Sequence, residues 1–276
     1  MIKIFMTVRD RLAITKKSIE ALYRHSKIPF QLYIYNNCTK QRLKEHYEYF
    51  YRLHTEGLIT QLTFNTEEST FNAFSKAVAS NQFGRLHAED PNKKKYDFLL
   101  FLDNDIIVLP GWDSILKNAW EEVKRLGMKD IKVIGQLPGG IRYTKHSERP
   151  IATCNAKIGK LGGSGFWSVK PDFFNDVGYL DISLLVGFHK KHDQHYWSKM
   201  NTVTNGREYI MGLKKQLCIH CGKLAGSLCN TLKNGGVDNL EKSRPMFEKA
   251  ERRLEGMDFE SFMRLIENDN ALAKDW

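Results

Sequence analysis

Four short apolar runs alternate along the first 110 residues with segments whose apolar positions recur at helical spacing. Ile2 to Val8 reads as a buried strand, and Leu12, Ala13, Ile19, Leu22 and Tyr23 lay an apolar stripe along the helix that follows. Phe30 to Tyr35 predicts a second strand with a helix reaching about Leu53, and Leu58 to Phe64 predicts a third. The segment from Thr70 to Val78 predicts a helix whose small Ala73 and Ala77 allow close packing on a sheet, and residues 84 to 95 read as a polar loop. The fourth run, Leu99 to Val108, is apolar except for Asp103, Asn104 and Asp105. A run this apolar fits a strand buried on both faces of a mostly parallel sheet. Strand and helix in strict alternation predict a doubly wound α/β domain, with ligands at the carboxyl ends of the strands.

Beyond the fourth run, Trp112 to Leu126 has the amphipathic spacing of a helix, with Trp112 and Trp120 as core residues. Ile131 to Leu137 predicts a further strand, and residues 138 to 160 read as a long aperiodic connection. Leu161 to Val169 joins a Gly-rich turn to an aromatic strand. Gly187 to Trp197 reads as a loop entering a helix, and the chain from about Asn239 is charge-laced and helical. The expected organisation is one domain over residues 1–235 with a C-terminal helical extension over 236–276.

Composition narrows the picture without choosing a chemistry. With 276 residues, 42% of them hydrophobic and 12% aromatic, the chain can bury a sizeable core. No apolar stretch reaches bilayer length and no secretion signal precedes Ile2, so the expected location is cytoplasmic. Five cysteines without such a signal favour free thiols over a disulfide framework. A formal charge of +10 favours acidic partners: a nucleotide, a nucleic acid or anionic headgroups.

The candidate chemistry collects after the predicted strands. Thr7, Arg9 and Arg11 follow the first, where the arginines can meet phosphates bidentately or simply face solvent. Asn36, Asn37, Cys38 and Thr39 end the second with groups suited to a base or ribose. Asp103 and Asp105 share a face if the strand continues, and split between a metal and a sugar hydroxyl if it turns; oxygen ligands favour Mg²⁺ or Mn²⁺. Asp193 either caps a helix or acts as a base. Cys218, His220, Cys221 and Cys229 admit a zinc reading, although adjacent His220 and Cys221 rarely converge on one ion.

The succession of Thr-x-Arg after the first strand, Asn-Asn-x-Thr after the second, an Ala-containing helix and Phe101-Leu102-Asp103-Asn104-Asp105 resembles the GT-A fold of nucleotide-sugar glycosyltransferases, family 2 in particular, over roughly residues 1 to 230. The resemblance implies a mixed, Rossmann-like sheet flanked by helices and a transfer of sugar from a nucleotide donor, UDP-linked, with Mn²⁺ or Mg²⁺. It places Asp105 on the metal, Asp103 on metal or donor ribose, and Asn104 at the variable middle position of the D-x-D motif. It sets Gly163 and Trp167 beneath donor sugar and acceptor, with Trp167 as a stacking platform. His192-Asp193 matches only the second position of the acidic pair that opens a helix in inverting members, so Asp193 is the implied base and His192 an acceptor neighbour. His220, followed by Gly and Ser, matches the further metal ligand of the last strand, which brings Lys223 toward the diphosphate. The implied acceptor is a saccharide or glycoconjugate, with a hydroxylated base in DNA as the minority choice. A nucleotidyltransferase and a non-catalytic nucleotide or nucleic-acid binding module are the alternatives.

Overall fold

Residues 2 to 8 bury alternate side chains on opposite sides of one sheet, and this two-residue period sets the layers of the molecule. The computed structural model describes residues 1–65, 72–136, 147–151, 154–159, 165–181, 192–221 and 248–268, with backbone alone at 72–75, 147–151, 154–155, 157 and 192–194. The elements are β1 (Ile2–Val8), α1 (Leu12–His25), β2 (Phe30–Asn36), α2 (Leu43–Thr55), β3 (Gln61–Phe64), α3 (Asn72–Glu89), β4 (Phe98–Asp103), β5 (Ile106–Val108) and α4 (Trp112–Arg125). They continue with β6 (Val133–Gln136), β7 (Ser147–Ile151), β8 (Cys154–Gly159), β9 (Phe166–Val169), α5 (Phe173–Asp176), α6 (His192–Val203), β10 (Ile210–Leu213), β11 (Cys218–His220) and α7 (Phe259–Asn268). Residues 248–255 are also helical.

Among the described residues nine strands form one sheet in the order β3-β2-β1-β4-β9-β6-β10-β8-β7. The β3-β2-β1-β4 half is parallel, in register Ile2 to Phe30 and to Phe98, and β9 enters antiparallel beside β4. This is the mixed sheet that the GT-A resemblance implies; the strand pattern alone predicts its parallel half. Ile2, Ile4, Met6 and Val8 pack with Leu32, Ile34, Phe98, Leu100 and Leu102 on one face, while Phe5, Tyr33, Tyr35, Leu99 and Phe101 pack on the other. Burial on both faces explains why these strands read as nearly continuous apolar runs. No helix among the described residues is long and apolar enough to cross a membrane.

Two expectations are corrected. The polar loop over residues 84 to 95 is largely helix, because α3 continues to Glu89 with Phe83 buried and stacked on Phe5 at 4.6 Å. Gly84 hid this continuation, although here it permits close approach: a Cβ would stand 2.6 Å from the Phe174 ring and 2.8 Å from that of Tyr179. Gly84→Ala is therefore expected to lose about 1–3 kcal/mol to overpacking despite its better helix propensity. Urea denaturation checks the sign, since an unpacked site would gain stability instead. The aperiodic stretch from 138 to 160 contains the antiparallel pair β7 and β8, attached to the main sheet through β10.

The long fourth run does not continue as one strand. It stops at Asp103, turns through Asn104 and Asp105, and resumes as β5, which leaves the main sheet to pair antiparallel with β11. That pairing sets Ile106 opposite His220, so the turn and the end of β11 meet.

Candidate active site

The carboxyl ends of β1, β2, β3 and β4 lie side by side, and those of β1, β2 and β4 carry the polar residues singled out in the first 110 positions. The loop after β1 is strained: Asp10 and Arg11, neither of them glycine, hold φ of 44° and 54°. Each such residue costs about 1–3 kcal/mol and persists only where its surroundings fix it. The Asp10 carboxylate accepts from the Thr39 amide at 2.8 Å and from the Thr39 hydroxyl at 3.2 Å. Arg11 donates to Asp105 Oδ2 at 2.8 Å and to Asn104 Oδ1 at 3.0 Å. Asn104 Nδ2 in turn donates to Thr15 Oγ1 at 2.8 Å and to the Asp10 carbonyl at 3.3 Å. Three loops are thereby fastened to one another.

Asp105 and Asp103 have become different groups. The Asp105 side chain is only 4% exposed, and His220 Nε2 stands 3.3 Å from the same Oδ2 that Arg11 holds. Burial alone would raise its carboxyl, but the Arg11 guanidinium and the His220 imidazole override that and hold it far below the usual carboxylate range. Asp105 is thus an enclosed carboxylate held in its ionised form at neutral pH. Asp103 keeps the face of Leu99 and Phe101, as the two-residue period requires, while the turn carries Asp105 away from it; the Asp103 side chain is 27% exposed with Lys76 Nζ at 2.6 Å from Oδ1. Thr7 Oγ1 is a longer 3.4 Å from that oxygen. Gly165 supplies the close approach: its carbonyl accepts from the Asp103 amide at 2.9 Å, and a Cβ there would stand 3.4 Å from Asp103 Oδ2.

Arg9 adds an unspent cation. Its Nη1 is buried without a hydrogen-bond partner among the described residues. Burial lowers its pKa and Arg11 adds to that, while Asp10 works against both. Asn37 is buried, with Oδ1 accepting from Asn65 Nδ2 at 2.8 Å. Behind it Asn36 Oδ1 contacts His46 Nδ1 at 3.0 Å, and burial pushes that imidazole down to about 4.

Two expected site residues are spent elsewhere. Trp167 is 3% exposed and stacked on Phe101 at 4.5 Å, with Phe173, Tyr196 and Trp197 around it, so it is a core ring rather than a platform for a sugar. Asn104 faces inward with both amide atoms bonded, so the middle of the D-x-D motif fastens loops and has nothing left for a donor. Gly163, Lys223 and Cys229 lie outside the described residues, and of His192 and Asp193 only the backbone, at the start of α6, is described. Cys218 and Cys221 are buried with thiols pushed up by that burial, which keeps them protonated. Among the described residues no three His, Cys, Asp or Glu side chains close around a single point.

Lys76 and Asn65 join this edge without any signal in the sequence reading. Lys76 sits in a helix that composition marked only for packing, and its partner Asp103 is reached through the fold. Gln136 acts similarly, its side-chain oxygen accepting from the Leu217 and Cys218 amides at 2.5 and 2.6 Å and so fixing the start of β11.

No protein-family model matches this sequence, and no curated protein is similar to it. Solved structures are similar in fold. GalNAc-T7 with UDP, GalNAc and Mn²⁺ superposes with a TM-score of 0.51 at 12% identity, over 98% of this chain and 57% of that one. Staphylococcus aureus TarS 1-349 gives 0.47 at 13% identity, over 79% of this chain and 59% of that one. Mouse xyloside xylosyltransferase 1 gives 0.41 at 10% identity, over 88% and 93%. The chain spans less than two thirds of the first two. The superposition on GalNAc-T7 gives it a GT-A-like α/β fold.

Proposed function

We propose that this chain transfers a sugar from a nucleotide-sugar donor, UDP-linked, to an acceptor hydroxyl on a saccharide or glycoconjugate, with inversion. One observation carries the reading. At the carboxyl edge of a GT-A-like sheet, an enclosed and ionised Asp105 sits between Arg11 and His220, beside Asp103 with Lys76 and an Arg9 nitrogen that has no partner among the described residues. Cations and hydroxyls gathered at that crevice suit a diphosphate and a ribose.

Arg9 and Lys76 bind the diphosphate oxygens in this reading, while Asp103 and Thr7 face the ribose or the sugar. Asn37 and Thr39 stand near the nucleoside, and Lys223 near the phosphates. Asp105 and His220 together offer a carboxylate oxygen and an imidazole nitrogen, donor types that suit Mn²⁺, with Mg²⁺ the harder alternative. Asp105 and His220 would hold such an ion, which would supply neutralisation of charge on a departing nucleoside diphosphate. Arg11 fixes Asp105 Oδ2 from the other side. Asp193 takes the proton of the acceptor hydroxyl as its oxygen attacks the anomeric carbon. Gly163 and His192 belong to the acceptor side.

The test is a thermal-shift and turnover screen of nucleotide sugars with and without Mn²⁺, reading released nucleoside diphosphate. Metal-dependent stabilisation by one nucleotide family, with slow donor hydrolysis, is the expected result. Failure of every nucleotide sugar to bind would overturn the proposal, and release of pyrophosphate would replace it with nucleotidyl transfer.

A further inference from the structure

The C-terminal segment runs along α1 from end to end. Its middle contributes Leu254, Phe259, Phe262 and Ile266 to the same core as Ile14, Ile19 and Leu22. Lys17 Nζ donates to the Met257 carbonyl near the centre of the helix. At the far end Arg24 Nη1 meets Glu260 at 2.7 Å and the guanidinium lies over the Phe259 ring at 4.8 Å. At the near end Glu251 Oε2 accepts from the Ala13 amide at 2.8 Å. That amide belongs to the first turn of α1, where the N-cap residue is Arg11 itself and no side chain of α1 caps the helix. An orphan N–H of a helix start is satisfied by a carboxylate from 238 residues further along the chain.

We propose that Glu251 is a positioning residue for the D-x-D turn: by holding the first turn of α1 it fixes the strained Asp10–Arg11 pair, and through Arg11 it fixes Asp105. The links are contiguous. Glu251 holds Ala13, the chain runs back two residues to Arg11 at φ 54°, and Arg11 holds Asp105 and Asn104. Thr39 clamps Asp10 from the opposite side, so the pair is gripped by α2's approach and by the C-terminal segment together. The C-terminal helices are therefore part of the machinery that shapes the donor edge, beyond the packing role that their amphipathic pattern suggests. The catalytic part of this inference rests on the proposed glycosyl transfer; the structural part does not.

The experiment compares Glu251→Ala, Glu251→Gln and Ile266→Val, using full-length protein. Ile266→Val removes one buried methyl group of the same segment, 15 residues beyond Glu251, and leaves the Glu251 carboxylate in place. Amide hydrogen exchange of the unliganded protein is read over residues 10–15 and 103–106. Glu251→Ala is expected to speed exchange in both windows, whereas Ile266→Val leaves the 103–106 window unchanged at comparable loss of thermal stability. With donor saturating, kcat falls about tenfold or more in Glu251→Ala, as misplacement of a reacting constellation does, and recovers to within about threefold in Glu251→Gln, which keeps an acceptor oxygen at the same reach. Exchange that rises only at residues 10–15, or an equal kcat loss in Ile266→Val, overturns the proposal. A wild-type protein that transfers no sugar sinks the functional reading alone, because the exchange comparison still decides the coupling.

Discussion

Asp105→Asn is expected to lower turnover by about a thousandfold, a loss of the size seen when one preorganised charge-stabilising group is removed. The substitution keeps the shape and an acceptor oxygen where Oδ2 meets both Arg11 and His220, but the negative charge that holds them is gone. Two consequences separate this from general damage. First, the neutral amide leaves the Arg11 guanidinium with a weakened partner, at a stability cost of about 1–3 kcal/mol. Asp105→Ala removes both oxygens and strands a largely enclosed guanidinium, which costs about 3–5 kcal/mol and makes it the poorer probe. Second, the wild-type carboxyl has a folded pKa held below its ordinary 3.8, so its contribution is fully present above that value and is lost as pH falls below it. The Asn variant therefore loses part of the acid-side fall in stability that wild type shows. Denaturant midpoints across pH 2 to 6 and the rate of nucleoside diphosphate release measure the two effects. Transfer near the wild-type rate by Asp105→Asn would remove Asp105 from the mechanism.

The parallel half of the sheet was legible because each of its strands is buried on both faces, and such strands announce themselves as apolar runs. The crevice was legible for a related reason: polar residues directly after such runs must lie at one edge. What escaped were features set by distant contacts. Gly84 broke the helical pattern of α3, yet its missing side chain is what lets Phe174 and Tyr179 approach. Trp167 beside a Gly-rich turn suggested a sugar platform, but its ring is claimed by Phe101 one strand away. Asn104 sits between two acids and resembles them in exposure to a reader of sequence, whereas the turn rotates it inward onto Arg11 and Thr15. Lys76 and Glu251 carry no local signal at all, because the groups they meet, a carboxylate and a backbone N–H, lie 27 and 238 residues away. Periodicity reports which face a residue takes; it does not report which partner waits there.

Asp193→Asn is the second large effect, with kcat expected to fall by about 10²–10⁴, the usual contribution of a positioned general base. Donor binding is expected to stay the same, since in the proposed reading Asp193 acts on the acceptor hydroxyl and the donor is held by residues after β1, β2 and β4. The competing role is local: α6 begins at His192, so Asp193 lies in the first turn of a helix, where a carboxylate stabilises by about 1 kcal/mol or less. The two roles separate cleanly, because a helix-terminus charge affects melting and not chemistry, whereas a base affects chemistry and leaves melting nearly untouched. Measuring donor-induced thermal shift, melting temperature and single-turnover transfer on one preparation reads all three. A variant that melts lower but transfers at the wild-type rate makes Asp193 a helix residue, and the base must then come from another group on the acceptor side. A variant that binds donor, melts normally and still hydrolyses it slowly to water, yet transfers nothing to an acceptor, fixes proton removal on this residue, because acceptor activation then fails while donor activation persists.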